Sequence, residues 1–499
     1  MSRIWIDVES LFQYAAASPR PSGIQRLELE IGAALAASPA ARERVGFVRH
    51  ARLGVGLRSV PYAAFAALHD RLAAAPTVTA GPAEVETAGT DPAAGVIADP
   101  GRLRRLLYRL PPDLRGPLAT AAKGQFQAVR GVASLRGPLL RRLRRRDRSG
   151  GSVAAVPDAE TGGGDEHAES FAALVRPGDA LLMLGATWPK PEVGAFAAEL
   201  RRRHGLRLGV LVYDVIPLLR PEWCGRAMEA QFRHWLRTLL PQADMLFTIS
   251  DASARDLGAA ARAEGAALPA AVRVLPVGTG FGEAAGEAAA ERRTPDPRPA
   301  HLPAPGSYVL TVCTVDPRKN HGLLLRVWRR LLAELPRASV PTLVIAGKIG
   351  PMVDDLLQQL RNADWLGGKV ALVREPSDAE VEALYRGCLF TVFPSFYEGW
   401  GLPVTESLGF GRPCLASNAS SLPEAGGAMA RYFDPENGAE AFRMIREAIE
   451  DRAGTEAWAA RVRTEFRPVP WSDTADAILQ TVDAAGSATG AAAAPMAAD

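Results

Sequence analysis

Short apolar runs alternate with amphipathic stretches along most of this 499-residue chain, and a proline-rich segment at residues 282–306 divides the alternation into two halves. The first half contains the runs RIWIDV, ALLMLG, LGVLVYDVIP and MLFTIS, and the second contains YVLTVCTV, PTLVIAG, VALVRE and LFTVFPS. Strand–helix–strand alternation of this kind is typical of a parallel sheet covered by helices on both faces. The sequence therefore predicts an α/β fold of two doubly wound, Rossmann-like domains that face a central cleft, where ligands bind beyond the carboxyl ends of the strands.

Composition marks the predicted boundaries. We assign residues 1–281 to a first domain, 282–306 with its five prolines to an interdomain linker, and 307–483 to a second domain. The Arg- and Gly-rich stretch 101–166 has no sheet-like pattern and is interpreted as an insertion in the first domain. The Ala/Gly-rich end, 484–499, is predicted to be a disordered tail.

A strong positive charge is concentrated in the predicted insertion. The whole chain has a net charge of only +3, but residues 101–148 contain 14 Lys and Arg against two acids. One interpretation is an arm that contacts an anionic membrane surface, where each Lys or Arg adds about 1 kcal/mol. The other is a flexible, solvated loop. Nucleic-acid binding is not expected, because the segment lacks a pattern of stacking aromatic residues.

Cysteine usage and hydropathy narrow the class further. The chain has four cysteines and no CxxC pair, which argues against a disulfide framework and against a cysteine zinc site. No apolar stretch reaches the ~18 residues of a spanning helix, and the start MSRIWIDVES does not resemble a secretion signal. We expect a cytoplasmic protein, peripheral at the inner face of the membrane if the insertion binds lipid.

The densest chemistry lies in the string FPSFYEGWGLPVTESLGFG, which follows an apolar run and precedes a helical pattern. Gly401 allows the backbone to approach a ligand closely, and the free N–H groups at the start of the helix, including that of Leu402, form an anion site. Glu398 and Glu406 flank this turn. A carboxylate repels phosphate, so we expect both to accept hydrogen bonds from sugar hydroxyls.

The spacing of these glutamates in YEGWGLPVTE resembles the paired-glutamate motif of the retaining nucleotide-sugar glycosyltransferases of the GT-B fold, family 4, especially mannosyltransferase-type members of polysaccharide biosynthesis. The resemblance extends over most of the chain outside the insertion and the tail. It implies that Glu406 holds the ribose and that Glu398 lies beside the donor sugar. Gly401 and Leu402 would present their N–H groups to the diphosphate.

A cationic partner for the diphosphate is expected in TVCTVDPRKNHGLLL, where Arg318 and Lys319 follow a predicted strand. Without a metal, positive charge must stabilise the leaving diphosphate as the glycosidic bond breaks. The string resembles the PRKN loop of family members that use GDP-mannose or related donors. Relatives often carry a further Arg at the position of Thr314, so Arg318 is a candidate to replace it here.

Two more segments of the second half resemble the family's donor site. Gly347 and Lys348 lie at a predicted strand end, although Pro351 stands where relatives often have Trp. In VREPSDAEVEAL, Arg374 and Glu375 match the segment that wraps the nucleotide base, usually through backbone contacts.

The first half supplies the acceptor side by the same resemblance. Gly23 matches a glycine loop whose backbone lies near the donor phosphate, and Arg26 is either a cleft residue or a helix-surface ion pair. Asp214 follows a strand and either orients a sugar hydroxyl or satisfies its own loop. Tyr213, where relatives often have His, and Ser250 are further acceptor-side candidates.

We therefore predict a retaining hexosyltransferase, with mannose favoured, that uses a nucleotide-sugar donor and a glycan or lipid-linked glycan acceptor in surface polysaccharide or lipopolysaccharide synthesis. No cofactor or metal is expected, because no DxD-type motif lies at a strand end. Two alternatives remain open: a nucleotide-sugar epimerase or hydrolase of the same fold, and a non-catalytic scaffold. The sequence does not distinguish GDP from UDP, and it does not reveal the linkage or the oligomeric state.

Overall fold

The computed structural model describes residues 2–18, 21–50, 56–73, 85–86, 171–268, 271–280 and 301–492. The predicted insertion at 101–166 lies outside these residues, as does most of the predicted linker. None of the helices in the described parts of the chain is long and apolar enough to cross a membrane.

The first domain is built on a seven-stranded sheet. Its strands are β1 (Ile4–Asp7), β2 (Val45–His50), β3 (Leu57–Val60), β5 (Ala180–Met183), β6 (Arg207–Val212), β7 (Met245–Thr248) and β8 (Val272–Val274). They lie in the order β3-β2-β1-β5-β6-β7-β8. All neighbours are parallel except β2 and β3, which form an antiparallel pair at one edge. The helices of this domain are Glu9–Ala17, Gly23–Ala37, Tyr62–Ala73, Phe171–Leu174, Val193–His204, Ile216–Leu219, Arg226–Thr238 and Asp251–Ala263.

The second domain also has a seven-stranded sheet. Its strands are β9 (Tyr308–Val312), β10 (Thr342–Gly347), β11 (Val370–Arg374), β12 (Thr391–Phe393), β13 (Cys414–Ser417), β14 (Arg431–Phe433) and the two-residue β4 (Val85–Glu86) from the first half of the chain. The order is β14-β13-β12-β9-β10-β11-β4. Six strands are parallel, and β4 pairs antiparallel with β11. The principal helices are His321–Glu334, Asp354–Asn362, Asp378–Gly387, Leu402–Gly409, Leu422–Gly426, Gly438–Glu450 and Arg452–Glu465.

The prediction of two doubly wound parallel sheets is confirmed. Each of the eight apolar runs contains a strand, and the central strands β1, β5 and β6 are buried along their whole length. A parallel strand covered by helices on both faces must be apolar at almost every position, which is why the runs were visible in the sequence. The carboxyl ends of these strands lie at one edge of each sheet, and the candidate site is formed there.

The end of the chain differs from the prediction. A helix spans Trp471–Ala492 and therefore continues past Ala484, where a disordered tail was expected. It packs on the first sheet, where Trp471 and Ile478 belong to the same buried cluster as Ile4. The Arg207 guanidinium donates to the Val482 carbonyl at 2.6 Å, which ties this helix to β6. Alanine favours helix, and an apolar face to cover gives such a segment a reason to stay ordered.

The described end of the predicted linker also packs against the fold. Leu302 is buried in a cluster with Tyr308 and Leu384 of the second domain. The Gly306 N–H donates to the Gly387 carbonyl at 2.8 Å. The described residues 301–306 therefore pack with the second domain.

Candidate functional site

The paired-glutamate string forms a loop between β12 and the helix Leu402–Gly409. Gly401 is the N-cap and has a φ of +121°, a region that favours glycine. A Cβ at this position would lie 2.7 Å from the Leu422 side chain, so the close packing of the loop also requires glycine. Pro403 occupies the first helical turn, where its missing N–H has no intrahelical partner to lose.

The Glu398 carboxylate lies between Arg318 and Lys319. Lys319 Nζ is 2.5 Å from Glu398 Oε1, and an Arg318 Nη1–H donates to Glu398 Oε2. Burial alone would raise the pKa of the Glu398 carboxyl, but the charges of Arg318 and Lys319 outweigh it and lower the pKa to about 2. Glu398 is therefore ionised at neutral pH.

The loop that follows β9 brings the two cations to Glu398. Residues Pro317–Lys319 form a short 3₁₀ turn, and Asn320 ends it in the left-handed region with a φ of +55°. The Asn320 side-chain amide donates to the carbonyls of Pro394 and Pro435, both at 3.1 Å. Strands β9 and β12 are neighbours in the sheet, so the two loops leave the same edge side by side.

Arg318 has acidic neighbours in addition to Glu398. Its Nη2 is 3.6 Å from Asp316 Oδ2, and its Nη1 also donates to the Tyr397 carbonyl at 2.7 Å. Burial lowers the pKa of Arg318, but Glu398 and Asp316 raise it above the ordinary value, and Asp214 adds to this effect. The guanidinium is thus held permanently charged in a setting of several carboxylates.

Glu406 lies one turn into the helix and has partners from both domains. The Tyr385 hydroxyl donates to Glu406 Oε2 at 3.0 Å, and Arg26 Nη1 of the first domain is 3.6 Å from Glu406 Oε1. Arg26 also pairs with Asp378, with 2.5 Å between Nη2 and Oδ1. Arg26 therefore forms ion pairs, as one of the two alternatives for it predicted. Its partners belong to the second domain, so it also faces the cleft, as the other predicted.

Two further first-domain candidates lie at the second domain's loop. A Cβ on Gly23 would lie 3.7 Å from the Leu402 side chain, so this glycine is next to the helix start. Asp214 Oδ1 accepts from the Ile216 N–H at 3.0 Å, and a Cβ on Gly399 would be 3.3 Å from Asp214 Oδ2. Asp214 thus satisfies its own loop and also approaches the segment around Glu398.

The structure does not bring Tyr213 or Ser250 into the cleft as acceptor contacts. Tyr213 is buried, and its hydroxyl donates to the Leu184 carbonyl at 2.6 Å. Ser250 is fully buried as a helix N-cap, where its Oγ accepts from the Ser253 N–H at 3.0 Å and donates to the Gly399 carbonyl at 2.8 Å, so it is closed off by protein groups. The apolar ring of tyrosine favours burial, and the capping role of serine uses its hydroxyl within the fold.

The remaining donor-side candidates lie at the carboxyl ends of β10 and β11. Gly347 has a φ of +151°, and a Cβ there would lie 2.0 Å from the Cys313 carbonyl oxygen. Lys348 accepts a hydrogen bond from the Val315 N–H at 2.8 Å through its backbone carbonyl. Arg374 ends β11, and Glu375 follows in the left-handed region with a φ of +46° while its N–H donates to the Gly347 carbonyl at 3.1 Å.

A small cavity lies where these elements meet. Lys319, Glu398 and Gly401 line it, together with Cys313 and Thr311. Next to it, burial lowers the pKa of His321 to about 3, and the charge of Lys319 acts in the same direction, so this histidine is neutral at physiological pH. The fixed positive charge at the cavity therefore comes from Lys319 and its neighbour Arg318.

Several partners of the predicted residues were missed. Asp378 and Tyr385 were not predicted as site residues, yet Asp378 pairs with Arg26 and the Tyr385 hydroxyl donates to Glu406. Ser420 and Ser421 bind the backbone of Glu398, with the Glu398 N–H donating to Ser420 Oγ at 2.8 Å. These contacts join residues far apart in sequence, and serine and tyrosine carry no spacing signal that could have revealed them. Within the part of the chain that the structure describes, no cluster of three or more His, Cys, Asp or Glu side chains could hold a metal ion.

The two facing Rossmann-like domains place the protein in the class of two-domain α/β proteins with the GT-B fold. HepE of Anabaena, crystallised in complex with UDP and glucose, matches this fold over 97% of this chain and 100% of its own with a TM-score of 0.50, at 16% sequence identity. At this identity the match shows the fold alone.

Comparison of the sequence with known proteins shows similarity to glycosyltransferases. Residues 293–465 match the family model described as glycosyl transferases group 1. The serotype-specific mannosyltransferase WbdA of Escherichia coli is 30% identical over 277 residues, which are 53% of this chain and 32% of WbdA. The O-antigen chain mannosyltransferase B of Escherichia coli is 32% identical over 36% of this chain and 45% of its own length. This chain therefore spans less than half the length of either relative.

Proposed function

We propose that the protein is a retaining glycosyltransferase that moves a hexose from a nucleotide-sugar donor to a glycan or lipid-linked glycan acceptor. The observation that carries the proposal is the convergence of Arg318 and Lys319 on Glu398 beside the start of the helix Leu402–Gly409. Two cations and the N–H groups of a helix start are the groups that a leaving diphosphate requires. A carboxylate at the same point is suited to the hydroxyls of the transferred sugar.

The roles proposed for the site residues are those that the resemblance implies, and the observed contacts are compatible with them. Arg318 and Lys319 would take phosphate oxygens, since both already hold an anionic group at hydrogen-bond distance. The N–H groups of Gly401 and Leu402 would face the same diphosphate. Glu406 would accept from the ribose hydroxyls.

The remaining candidates would complete the two sides of the cleft. Arg374, Glu375, Gly347 and Lys348 would surround the base and the phosphates of the nucleotide. Gly23 would approach the donor phosphate from the first domain. Asp214 would orient a sugar hydroxyl, because it lies against the loop of Glu398.

Mannose from GDP-mannose is the first donor to test. The PRKN-like loop motivates it, and the two Escherichia coli relatives are named as mannosyltransferases, one of them of the O-antigen chain. We expect transfer to survive EDTA, because the leaving group would be neutralised by Arg318 and Lys319. Loss of activity on chelation, restored by a divalent cation, would contradict the metal-independent form of the proposal.

The decisive experiment incubates the pure protein with a panel of GDP- and UDP-sugars, with and without oligomannose and lipid-linked acceptors. We expect an acceptor-dependent product whose new bond has the anomeric configuration of the donor, as read by NMR. Glu406→Ala should lower the rate by roughly 30–1000-fold, the effect of losing a hydrogen bond made by a charged group in the transition state. Glu465→Ala, on an exposed helix position, is the matched control.

The two alternatives give different outcomes in the same assay. Conversion of the nucleotide sugar without any acceptor would identify an epimerase or hydrolase. Nucleotide binding without turnover of any donor would identify a scaffold. Wild-type rates in Glu406→Ala would overturn the assignment of the site itself.

We also propose that the basic segment at residues 101–148 brings the enzyme to an anionic membrane, where a lipid-linked acceptor would be found. Flotation with vesicles containing an anionic phospholipid would compare the full chain with a variant that lacks this segment. We expect the deletion to abolish flotation, and 0.5 M salt to weaken the flotation of the full chain. Equal flotation of the two proteins would contradict the proposal.

A further inference from the structure

The first domain binds the backbone next to Glu398. Ser250 Oγ donates to the Gly399 carbonyl at 2.8 Å. Ser253 Oγ lies 3.2 Å from the same oxygen and 2.8 Å from the Tyr213 carbonyl, so its one hydrogen is shared between the two. Both serines belong to the amino end of the helix Asp251–Ala263, and both are buried. The carbonyl that follows Glu398 is therefore fixed by the opposite domain.

The residue that precedes Glu398 is bound to the same helix. The Tyr397 hydroxyl donates to the Asp256 carboxylate, one turn further along. Close packing accompanies these bonds, because a Cβ on Gly399 would lie 2.8 Å from the Tyr213 carbonyl oxygen. Only glycine allows the two backbones to approach so closely. Glu398 is thus held on both of its flanks by the first domain.

The contact is reciprocal. The Glu424 carboxylate of the second domain accepts from the N–H groups of Asp251 at 2.7 Å and Ala252 at 2.9 Å, which satisfies the free amino end of the helix. Trp223 of the first domain stacks on Phe396, with ring centroids 5.8 Å apart and planes inclined by 15°. Each domain therefore supplies groups that orient the other at this loop.

We propose that Ser250, Ser253 and Asp256 are positioning residues for Glu398, so that the first domain sets the place of a carboxylate that belongs to the second. This inference rests on the proposed glycosyl transfer and adds a requirement to it. The proposed nucleotide contacts lie in the second domain, and Ser420 and Ser421 of that domain bind the Glu398 backbone. The Gly399 carbonyl and the Tyr397 hydroxyl on its two flanks gain their first-domain partners only when the helix Asp251–Ala263 is docked. A displacement of about 1 Å in such a group can cost on the order of 100-fold in rate.

The test uses the double variant Ser250→Ala/Ser253→Ala in the full chain. We expect kcat for transfer to fall about 10- to 100-fold, while the Kd for GDP or UDP stays within about twofold of wild type. Because Ser250 is also a helix N-cap, the control is Asn437→Ala, which removes the exposed N-cap of the second-domain helix Gly438–Glu450. The control should lower the thermal midpoint by a similar amount and leave kcat unchanged.

A second measurement does not depend on turnover. Amide hydrogen exchange of residues 396–401 should be faster in the double variant and unchanged in Asn437→Ala. If the double variant does not fold, Tyr397→Phe removes one of the bonds alone and should show a smaller change of the same kind.

The outcomes separate this inference from the proposed function. If the wild type transfers sugar and the variants keep kcat and exchange within twofold of wild type, the positioning role is wrong and the proposed function stands. A parallel rise in Kd and fall in kcat would show a general loss of structure and would also overturn it. If the wild type transfers no sugar, the proposed function fails, and the positioning role fails with it.

Discussion

Glu28 is a buried glutamate of the first domain and Glu398 a largely buried glutamate of the second, and their surroundings shift their pKa values in opposite directions. Burial raises the pKa of Glu28 to about 8, and its oxygens accept only from the Ser10 hydroxyl, at 2.7 Å, among the bonds described for it. Glu398 is subject to a similar burial effect, but Arg318 and Lys319 reverse it and lower the pKa to about 2.

The difference shows what each domain contributes to the cleft. A carboxyl with a pKa of about 8 is largely protonated at neutral pH, so Glu28 behaves as a neutral hydrogen-bonding group. Glu398 remains a carboxylate because permanent cations face it. The second domain collects charged side chains around Glu398, as the proposed diphosphate site would require. The first domain adds the Ser250 hydroxyl, the Asp256 carboxylate and the Arg26 guanidinium on the other side.

The largest effect on the free energy of unfolding is expected for Glu28→Gln, which tests whether Glu28 is neutral in the folded protein. The folded-state pKa of about 8 lies above the ordinary 4.5, so the protonated carboxyl stabilises the fold fully below pH 4.5, and this contribution is lost as the pH rises through 8. From this group alone, the free energy of unfolding should fall by up to about 5 kcal/mol across that window. Urea unfolding at pH 5, 7 and 8.5 should show a flatter dependence in Glu28→Gln.

The matched control for this pH series is Glu199→Gln, at a half-exposed position on a surface helix. It should follow the wild-type curve. Parallel curves for wild type and Glu28→Gln would mean that Glu28 is charged in the folded protein, and the contrast with Glu398 would disappear.

The next largest effect is expected at Lys319, one of the two cations that face Glu398. If the proposed transfer is correct, Lys319→Ala should lower its rate by roughly 30–1000-fold, or about 2–4 kcal/mol in the barrier, because one of the two cations proposed to face the diphosphate is removed. Lys369→Ala is a suitable control, since Lys369 Nζ contacts only the Val340 carbonyl among the bonds described for it. Equal rates for the two variants would show that Lys319 does not face the reacting phosphate.

Glu398→Gln should alter stability with the opposite pH dependence to Glu28→Gln. The folded-state pKa of about 2 lies below 4.5, so the carboxylate stabilises the fold above pH 4.5 and this contribution is lost as the pH falls towards 2. At pH 7 the variant should be less stable than wild type by up to about 3 kcal/mol, because Arg318 and Lys319 lose their counter-charge. The gap should narrow in unfolding curves at pH 3.5, and a gap independent of pH would contradict the ion-pair explanation.

Much of the fold and part of the site could be predicted from the sequence, for a physical reason that the strands β9 and β12 illustrate. Buried parallel strands are apolar throughout, and polar residues after neighbouring strands must meet at one sheet edge. The sequence pattern alone therefore predicts that Arg318 and Lys319 lie at the same edge as Glu398. The edge strand β3 and its antiparallel neighbour β2 have a mixed pattern and were not predicted, since both are only partly buried.

The cross-domain contacts could not be predicted, because they depend on how two sheets face each other. Nothing local to Asp256 indicates that it will bind Tyr397, which lies 141 positions away. Tyr213 illustrates the opposite error: its place after a strand suggested the cleft, but the ring packs in the core and its hydroxyl binds a carbonyl there. A strand end defines the edge of the sheet, and the side chain's direction and apolar area decide whether it faces the ligand.

The smallest effect on stability is expected at Arg26, the first-domain cation that pairs with carboxylates of the second domain. Its guanidinium lies 2.5 Å from Asp378 and 3.6 Å from Glu406, and all three side chains are partly exposed. Exposed or half-exposed ion pairs contribute little, so a double-mutant cycle of Arg26→Ala and Asp378→Ala should give a coupling of about 0.2–1 kcal/mol in the free energy of unfolding. The coupling should shrink between 0.05 and 1 M NaCl, since salt screens exposed charges.

Conservative replacement sharpens this last test. Arg26→Lys keeps the charge but cannot reach two carboxylates with a planar fork, so it should retain only part of the coupling. A coupling near zero at low salt would mean that Arg26 packs against the second domain without an energetic ion pair. The positive charge that matters at this end of the cleft would then come from Arg318 and Lys319 of the second domain alone. Arg26 of the first domain would contribute no electrostatic stabilisation, although its contacts suggest that it does.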